Sequence, residues 1–363
     1  MQRLRQFVVH AVSVTLPMAM FAGVLAWTAR PAAAVAPTGA GFSPGGGFMY
    51  ESDTDLARDL DNMAATGAKW VRIDFPWSVT EASPGIFDWA KLDRVVGAAY
   101  SRGLQVIGLL AYTPAWARPA GTDPMYPPTR PSDFANFTTA AVRRYASKVK
   151  VWEVWNEPNI SQFWKPRPDA AAYAALLRGA SVAVHRSAPT AAVLTGGLSP
   201  AVDASDGSQI SPITFLQRLY ANGAKGTFDA VGMHPYSYPA MPMDPATASW
   251  NTFYRLPLVY NVMAQNGDGS KRIWSTEFGA PTGTDPSAVS ETTQSAIIAQ
   301  AYAAVAAWPW AGPLLVYSDR DSGTNLADRE QNFGLRHYDF SPKPALAAFT
   351  QAISSATTIA AKA

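Results

Sequence analysis

The chain of 363 residues has no cysteine, only four histidines, and charged side chains at 15% of its positions. Each shortage removes a class of protein. Without cysteine there is no disulfide framework, so a stapled mini-fold is excluded and stability must come from a packed core. The histidines are His10, His185, His234 and His337. No two stand at ligand spacing, so the sequence carries no signature of a catalytic metal, and no cofactor is expected. Lysine and arginine total 29 against 27 acidic residues. Arg3, Arg5 and Arg30 lie in the first thirty residues, which hold no acid, and the remainder carries 26 basic groups against 27 acidic ones, a net charge of −1. Such a body lacks the clustered positive face that phosphate backbones demand, which sets nucleic acid aside as a partner. Disorder is excluded by an apolar content of 48%.

One long apolar run stands out, Phe7 to Trp27, preceded by Arg3 and Arg5 and followed by Arg30-Pro31-Ala32-Ala33-Ala34-Val35-Ala36-Pro37. A basic start, an apolar stretch and small residues at a cleavage spacing read as an export signal over residues 1–36. The alternative is an uncleaved anchor, since the run is nearly long enough to span a bilayer although His10, Ser13, Thr15 and Pro17 interrupt it. Either reading makes the protein secreted or associated with the cell envelope. About 325 residues remain after cleavage, enough for a sizeable core.

Those residues alternate short apolar runs with longer segments of helical period. Strands are expected in the Gly-rich entry Gly39 to Gly47, then at Ala68 to Phe75, Leu104 to Ala111, Val149 to Trp155, Ala192 to Gly196, Phe228 to Met233, Arg272 to Thr276 and Pro313 to Tyr317. Helices fit Asp53 to Thr66, Asp88 to Arg102, Ser132 to Ser147 with the serine as cap, Ala170 to Ser187, Pro212 to Asn222, Thr252 to Asn266, Ser287 to Trp308 and Pro344 to Ser354. Eight strand-helix units make an α/β fold, a single (β/α)8 TIM barrel over residues 37–355 with a tail at 356–363.

In such a barrel the loops that follow the strands carry the chemistry. Here they are aromatic and polar, and two of them carry a glutamate in a telling position. Val151-Trp152-Glu153-Val154-Trp155-Asn156-Glu157-Pro158-Asn159 ends an apolar run on Glu157, with Pro158 stopping the strand because it cannot donate to the ladder. Arg272-Ile273-Trp274-Ser275-Thr276-Glu277-Phe278-Gly279 repeats the arrangement, with a glycine that lets the chain turn. Two strand-end glutamates then face one pit. Hydrolysis of a sugar acetal needs a proton for the departing oxygen and a carboxylate for the oxocarbenium-like carbon, which such a pair supplies.

Through Trp155-Asn156-Glu157-Pro158 and Ser275-Thr276-Glu277-Phe278-Gly279 the sequence resembles the clan of retaining glycoside hydrolases built on the (β/α)8 barrel. Within it, the chain is most similar to family 39 and to cellulase-like family 5 members, including bacterial hydrolases of exopolysaccharide. The resemblance spans residues 40 to 350. Val71-Arg72-Ile73-Asp74, Tyr112-Thr113-Pro114-Ala115-Trp116, His234-Pro235-Tyr236, Phe333-Gly334-Leu335 and Ser341-Pro342-Lys343-Pro344 add to it. The resemblance implies that Glu157, on the fourth strand, is the acid/base and that Glu277, on the seventh, is the nucleophile of a double displacement. It implies that Asn156 meets the sugar 2-hydroxyl. The chain departs from the pattern at Tyr317, where many relatives carry tryptophan, and at Asp319 in the loop beyond.

The residues expected to meet substrate are Asn156, Arg72, His234, Tyr236, Trp116, Trp164 and Tyr317. Glu153 shares strand parity with Trp155 and Glu157, so it is expected to point into the barrel and to need a partner such as Arg72. A tyrosine hydroxyl can donate to a carboxylate, which suits Tyr236 to the nucleophile. Aromatic loops containing Trp77, Tyr112, Phe163 and Tyr238 suggest several sugar subsites, hence an oligo- or polysaccharide or a glycoconjugate. Asp319, Arg320 and Asp321 read as a solvated charge run, the alternative being contact with a charged or branched sugar. A transglycosylase using the same residues and a non-catalytic carbohydrate-binding protein on a hydrolase scaffold remain open alternatives.

Overall fold

The computed structural model describes residues 39–360; the expected export signal lies outside them. Eight parallel strands close into a barrel in chain order: β1 (Ala40–Phe42), β2 (Trp70–Pro76), β3 (Gln105–Ala111), β4 (Val149–Val154), β5 (Ala192–Thr195), β6 (Ala230–Met233), β7 (Arg272–Phe278) and β8 (Ala311–Val316). β1 closes the ring by pairing with both β2 and β8. Around it lie α1 (Asp53–Ala65), a short α2 (Trp77–Thr80), α3 (Ala90–Ser101), α4 (Pro131–Tyr145), α5 (Ala170–Ser187), α6 (Pro212–Ala221), α7 (Leu256–Gln265), α8 (Glu291–Ala307) and α9 (Pro344–Ala360). The strands read as near-continuous apolar runs because both faces are covered, one by the barrel interior and one by helices.

Inside the barrel the layers change character with height. The lower interior is a closed apolar plug of Trp70, Ile107, Val151, Ala192, Leu194, Ala230, Trp274 and Leu315, with the rings of Trp70 and Trp274 edge to face at 5.0 Å. One strand period higher, Arg72, Glu153 and Thr276 replace apolar side chains with buried polar ones. The plug therefore forms a floor, and the polar layer faces the C-terminal ends of the strands.

Several local expectations are corrected. Pro131, not a serine cap, opens α4: proline suits the first helical position because its missing N–H has no intrahelical partner there, and Ser132 lies inside the helix. α7 begins at Leu256 rather than Thr252, and α8 at Glu291 behind the Ser290 cap rather than at Ser287. α9 continues to Ala360, beyond the expected helix end at Ser354. Trp77 is fully buried, stacked on Phe137, and belongs to the packing between barrel and helices.

Candidate active site

The fourth strand ends by an unusual route. Trp155 and Glu157 both take positive φ, 69° and 45°, a conformation costing non-glycine residues about 1–2 kcal/mol. Backbone bonds hold it, from Trp155 N to the Leu110 carbonyl at 2.8 Å and from Glu157 N to the Gly197 carbonyl at 3.1 Å. Strand parity is lost there, so Trp155 does not share the inward face of Glu153 as expected. Its ring packs on Phe134 and Trp164 among the helices, while Glu157 turns back over the mouth.

Glu277 reaches the same place from β7. The β7–β8 pairing slips between Ser275 and Phe278, which lets the neighbours Thr276 and Glu277 both reach interior partners. A carboxylate oxygen of Glu157 and one of Glu277 lie within 4.8 Å of each other and of His234. His234, at the end of β6 and sealed from solvent, sets Nδ1 2.8 Å from Glu157 Oε1 and 3.5 Å from Glu277 Oε2. With acceptor oxygens of Glu157 and Glu277 both in reach, these contacts favour the tautomer that has the proton on Nδ1. By number alone these three residues could hold a divalent cation. As they stand, Glu157 and His234 bond to each other, and Glu277 accepts from Tyr236 and Arg72.

Arg72 organises the layer beneath. Its Nε donates to Glu153 Oε2 at 2.7 Å, Nη2 to Glu153 Oε1 at 3.3 Å and to Asn156 Oδ1 at 2.8 Å, and Nη1 to Glu277 Oε1 at 2.5 Å and Ser43 Oγ at 3.4 Å. Glu153 Oε1 also accepts from Gly197 N at 2.7 Å and Thr276 Oγ1 at 3.1 Å. The buried carboxylate thus has several donors, the condition under which an interior charge is tolerated. Burial would lower the Arg72 pKa, but Glu153, Glu277 and Asp74 outweigh it and keep the guanidinium charged.

Electrostatics set the state of Glu277 and His234. Burial pushes the Glu277 carboxyl up, yet His234, Arg72 and the hydrogen bonds from Tyr236 and Arg72 together hold it below the usual range. Tyr236 Oη supplies one of these bonds, to Oε2 at 2.9 Å. Burial pulls the His234 imidazole down, and Glu277 and Glu157 overcome this and raise it. The result is an ionised carboxylate at Glu277, gripped on both oxygens, opposite Glu157.

Of the residues expected to meet substrate, Asn156, Arg72, His234 and Tyr236 belong to this network. Tyr317 stands near it, half-buried, with its ring edge-on to Phe333 at 5.2 Å. Trp116 is half-buried, edge-on to Trp77, and its indole N–H donates to the Glu81 carbonyl at 2.8 Å. Trp164 is 2% exposed and packs between Trp155 and Tyr173. It is flanked by polar residues in Ser161-Gln162-Phe163-Trp164-Lys165, yet the loop folds back onto α5 and buries the ring. Trp164 lines an outer cleft of about 540 Å³ with Arg167 and Arg218, and a second of about 540 Å³ lies at Trp70, Tyr100 and Lys148; neither is lined by Glu157 or Glu277.

The charge run 319–321 is not a solvated face. Asp319 is 1% exposed and Asp321 is bound to the buried Lys343 at 2.7 Å. Arg320 reaches Asp59 at 2.9 Å and Glu51 at 3.1 Å. These charges pair with distant residues, which no local pattern reveals. Asp74 and Gly197 also belong to the site without having been singled out, although Asp74 lies two residues from Arg72 and so shares its inward face.

Comparison with known proteins agrees with the fold. A family model described as beta-galactosidase matches residues 50–160. No curated protein matches. Among solved structures, a family 39 glycoside hydrolase from Bacteroides cellulosilyticus WH2 is 23% identical, with a TM-score of 0.69 over 87% of this chain and 63% of that one. This chain therefore spans less than two thirds of that relative's length. A monomeric beta-xylosidase from Caulobacter crescentus CB15 is 18% identical, TM-score 0.65, covering 87% of this chain and 71% of that one. GH5_18 from Streptomyces cattleya, solved with GlcNAc, is 22% identical, TM-score 0.67, covering 89% and 80%. The resemblance to families 39 and 5 thus extends from strand-end motifs to a shared three-dimensional fold.

Proposed function

We propose that this chain is a secreted or envelope-associated retaining β-glycosidase that cleaves a polysaccharide or glycoconjugate. One observation carries the reading: two strand-end glutamates, Glu157 and Glu277, bring carboxylate oxygens within 4.8 Å of each other across His234. Retaining enzymes keep their carboxyl groups about 5–5.5 Å apart, whereas inverting ones leave a wider gap for water. The fold neighbours support it, being a family 39 glycoside hydrolase, a beta-xylosidase and a GH5_18 protein.

Glu277 attacks the anomeric carbon as Glu157 gives its proton to the leaving oxygen, breaking the glycosidic bond and leaving the sugar as an ester on Glu277. Glu157, now a carboxylate, takes a proton from water; the water oxygen attacks the same carbon and frees Glu277, with configuration retained. Arg72 and Tyr236 hold one oxygen each of the nucleophile. The His234 N–H toward both carboxylates steadies whichever carries charge.

Incubation with a panel of activated 2-fluoro glycosides, read by intact and peptide mass, tests this. A single sugar adduct on the peptide containing Glu277 is expected. No adduct across the panel, with polysaccharide still retained in a pull-down, would replace the reading with a non-catalytic binding protein.

A further inference from the structure

Asp74 is a carboxylate without a donor in the middle of a network where other acids are satisfied. It follows Arg72 by two residues on β2, so it faces the interior one step nearer the mouth. Arg72 has nothing to offer it, because all five guanidinium hydrogens point to Glu153, Asn156, Glu277 and Ser43. Among the described residues the Asp74 side chain accepts no hydrogen bond, and it is partly exposed to the mouth. Burial, with Glu277 and Glu153 nearby and against the pull of Arg72, pushes its pKa up to about 6. An acid retained at such a cost without a structural partner marks a place where a ligand supplies the donors.

The surroundings show which part of a ligand. Space beside Asp74 is kept clear by glycine: a Cβ on Gly46 would stand 3.2 Å from Asp74 Oδ2, and one on Gly45 would stand 3.2 Å from the ring of Tyr317. Asp74 on β2, the loop after β1 and Tyr317 after β8 form one flank of the mouth; Glu157 and His234, after β4 and β6, form the other. A sugar placed with C1 over Glu277 and its leaving oxygen at Glu157 turns its remote ring hydroxyls toward this flank.

We infer that Asp74 determines glycone specificity: its carboxylate accepts hydrogen bonds from adjacent hydroxyls of a neutral pyranose and repels a glycone that carries its own carboxylate. The inference rests on the glycosidase reading and narrows it to neutral glycones. Two carboxylate oxygens match two adjacent hydroxyl donors, and such charge-assisted bonds are the strong ones. A uronic acid would add a charge of like sign beside Asp74, Glu277 and Glu153, which acts against it as a wrong substrate.

The test compares the full protein with Asp74→Asn and Asp74→Ala on 4-nitrophenyl β-glycosides of glucose, galactose, mannose, xylose, N-acetylglucosamine and glucuronic acid. The unsubstituted protein should turn over one or more neutral glycosides and not the glucuronide. Asp74→Asn should lower kcat/KM on the accepted sugar by about 10–100-fold, the size expected for losing charged hydrogen bonds. Removing the 3- or 4-hydroxyl from that substrate should slow the parent but have little further effect on either variant. Melting temperature should hold or rise in Asp74→Asn, since an unpartnered acid has been removed. A variant within twofold of the parent on neutral sugars, cleavage of the glucuronide by the parent, or a collapse in melting temperature would overturn the inference. An active parent with an indifferent variant defeats only the role of Asp74, whereas an inactive parent that also takes no 2-fluoro adduct defeats the glycosidase reading and this inference together.

Discussion

Arg72 and Glu153, 81 residues apart, meet at 2.7 Å with both side chains sealed from solvent. Glu153 is not a candidate for the chemistry, yet it fixes the guanidinium that in turn reaches Glu277 and Asn156. Removing it by Glu153→Ala leaves a buried arginine short of a counter-charge. Breaking such a pair costs about 3–5 kcal/mol. Denaturant unfolding should show that loss, and kcat/KM should fall with it because Arg72 is free to rotate away from Glu277. Glu153→Gln, which keeps the shape and one acceptor, should lose less of both. Equal stability of the parent and the alanine variant would count against this account.

The fold was legible because its signal is periodic. Apolar runs and helical segments alternate eight times, and Glu157 and Glu277 fall at the ends of the fourth and seventh runs, which is where the barrel puts them. What failed to show were features that depend on residues far apart in sequence. The pairing of Arg320 with Asp59 spans 261 residues, so a local reading of Asp319-Arg320-Asp321 could only yield a solvated run. Trp164 misled for the same reason, since its burial is decided by Trp155 and Tyr173 and not by its polar neighbours. Asp74 lay in view beside Arg72, but its lack of a donor is a fact about three dimensions.

Substituting the two glutamates should separate their roles. Glu277→Gln should abolish turnover of every glycoside, because no ester can form. Glu157→Ala should lose about 10²–10⁴-fold on substrates with poor leaving groups, the usual worth of a general acid, and much less on activated aryl glycosides in the first step. Added azide should then restore turnover in Glu157→Ala and yield a β-glycosyl azide. An α-product, or equal losses on all leaving groups, would reverse the assignment.

The charges around His234 make stability depend on pH in a defined sense. The native state binds the His234 proton more tightly than an unfolded chain with its ordinary value near 6.5. That contribution is fully present below about pH 6.5 and is lost as pH rises through the higher native value. Glu277 acts oppositely: held below its ordinary 4.5, it contributes above that pH and the contribution is lost as pH falls through its native value. The drop in melting temperature caused by His234→Asn should therefore be larger at pH 5.5 than at pH 9. A difference that does not change between those two values would mean that His234 stays neutral between Glu157 and Glu277.

Asp319 shifts stability with pH in the same sense as His234, and opposite to Glu277, at a second place. Burial pushes its pKa up to about 7, Arg336 pulls it down from 3.7 Å, and Asp59 pushes it up again. Among the described residues neither of its oxygens accepts a hydrogen bond. Ionising it in the folded state is thus costly, and the cost grows as pH rises from the unfolded value near 3.8 through 7. Asp319→Asn should be more stable than the parent by on the order of 1–3 kcal/mol at pH 9, with the gap shrinking below pH 7. Denaturation curves at pH 5 and pH 9 decide it; a destabilised variant at pH 9 would show that Arg336 does gain from the charge.

Gly197 ties the position of His234 to the backbone after β5. A Cβ there would stand 2.1 Å from His234 Nε2 and 2.7 Å from Thr276 Oγ1, closer than atoms can approach. Nε2 accepts no hydrogen bond and donates none among the described residues, so nothing chemical is lost when the ring is pushed. What changes is the placement of Nδ1 between Glu157 and Glu277. Overpacking of this kind costs about 1–3 kcal/mol, and displacing a positioned group by an ångström near the reacting atoms can cost about 10²-fold in rate. Gly197→Ala should therefore lower kcat far more than its modest loss of stability explains, and the double variant Gly197→Ala with His234→Asn should be hardly slower than His234→Asn alone. If the two effects multiply instead, Gly197 acts through Glu153, whose Oε1 accepts its N–H at 2.7 Å, and not through the imidazole.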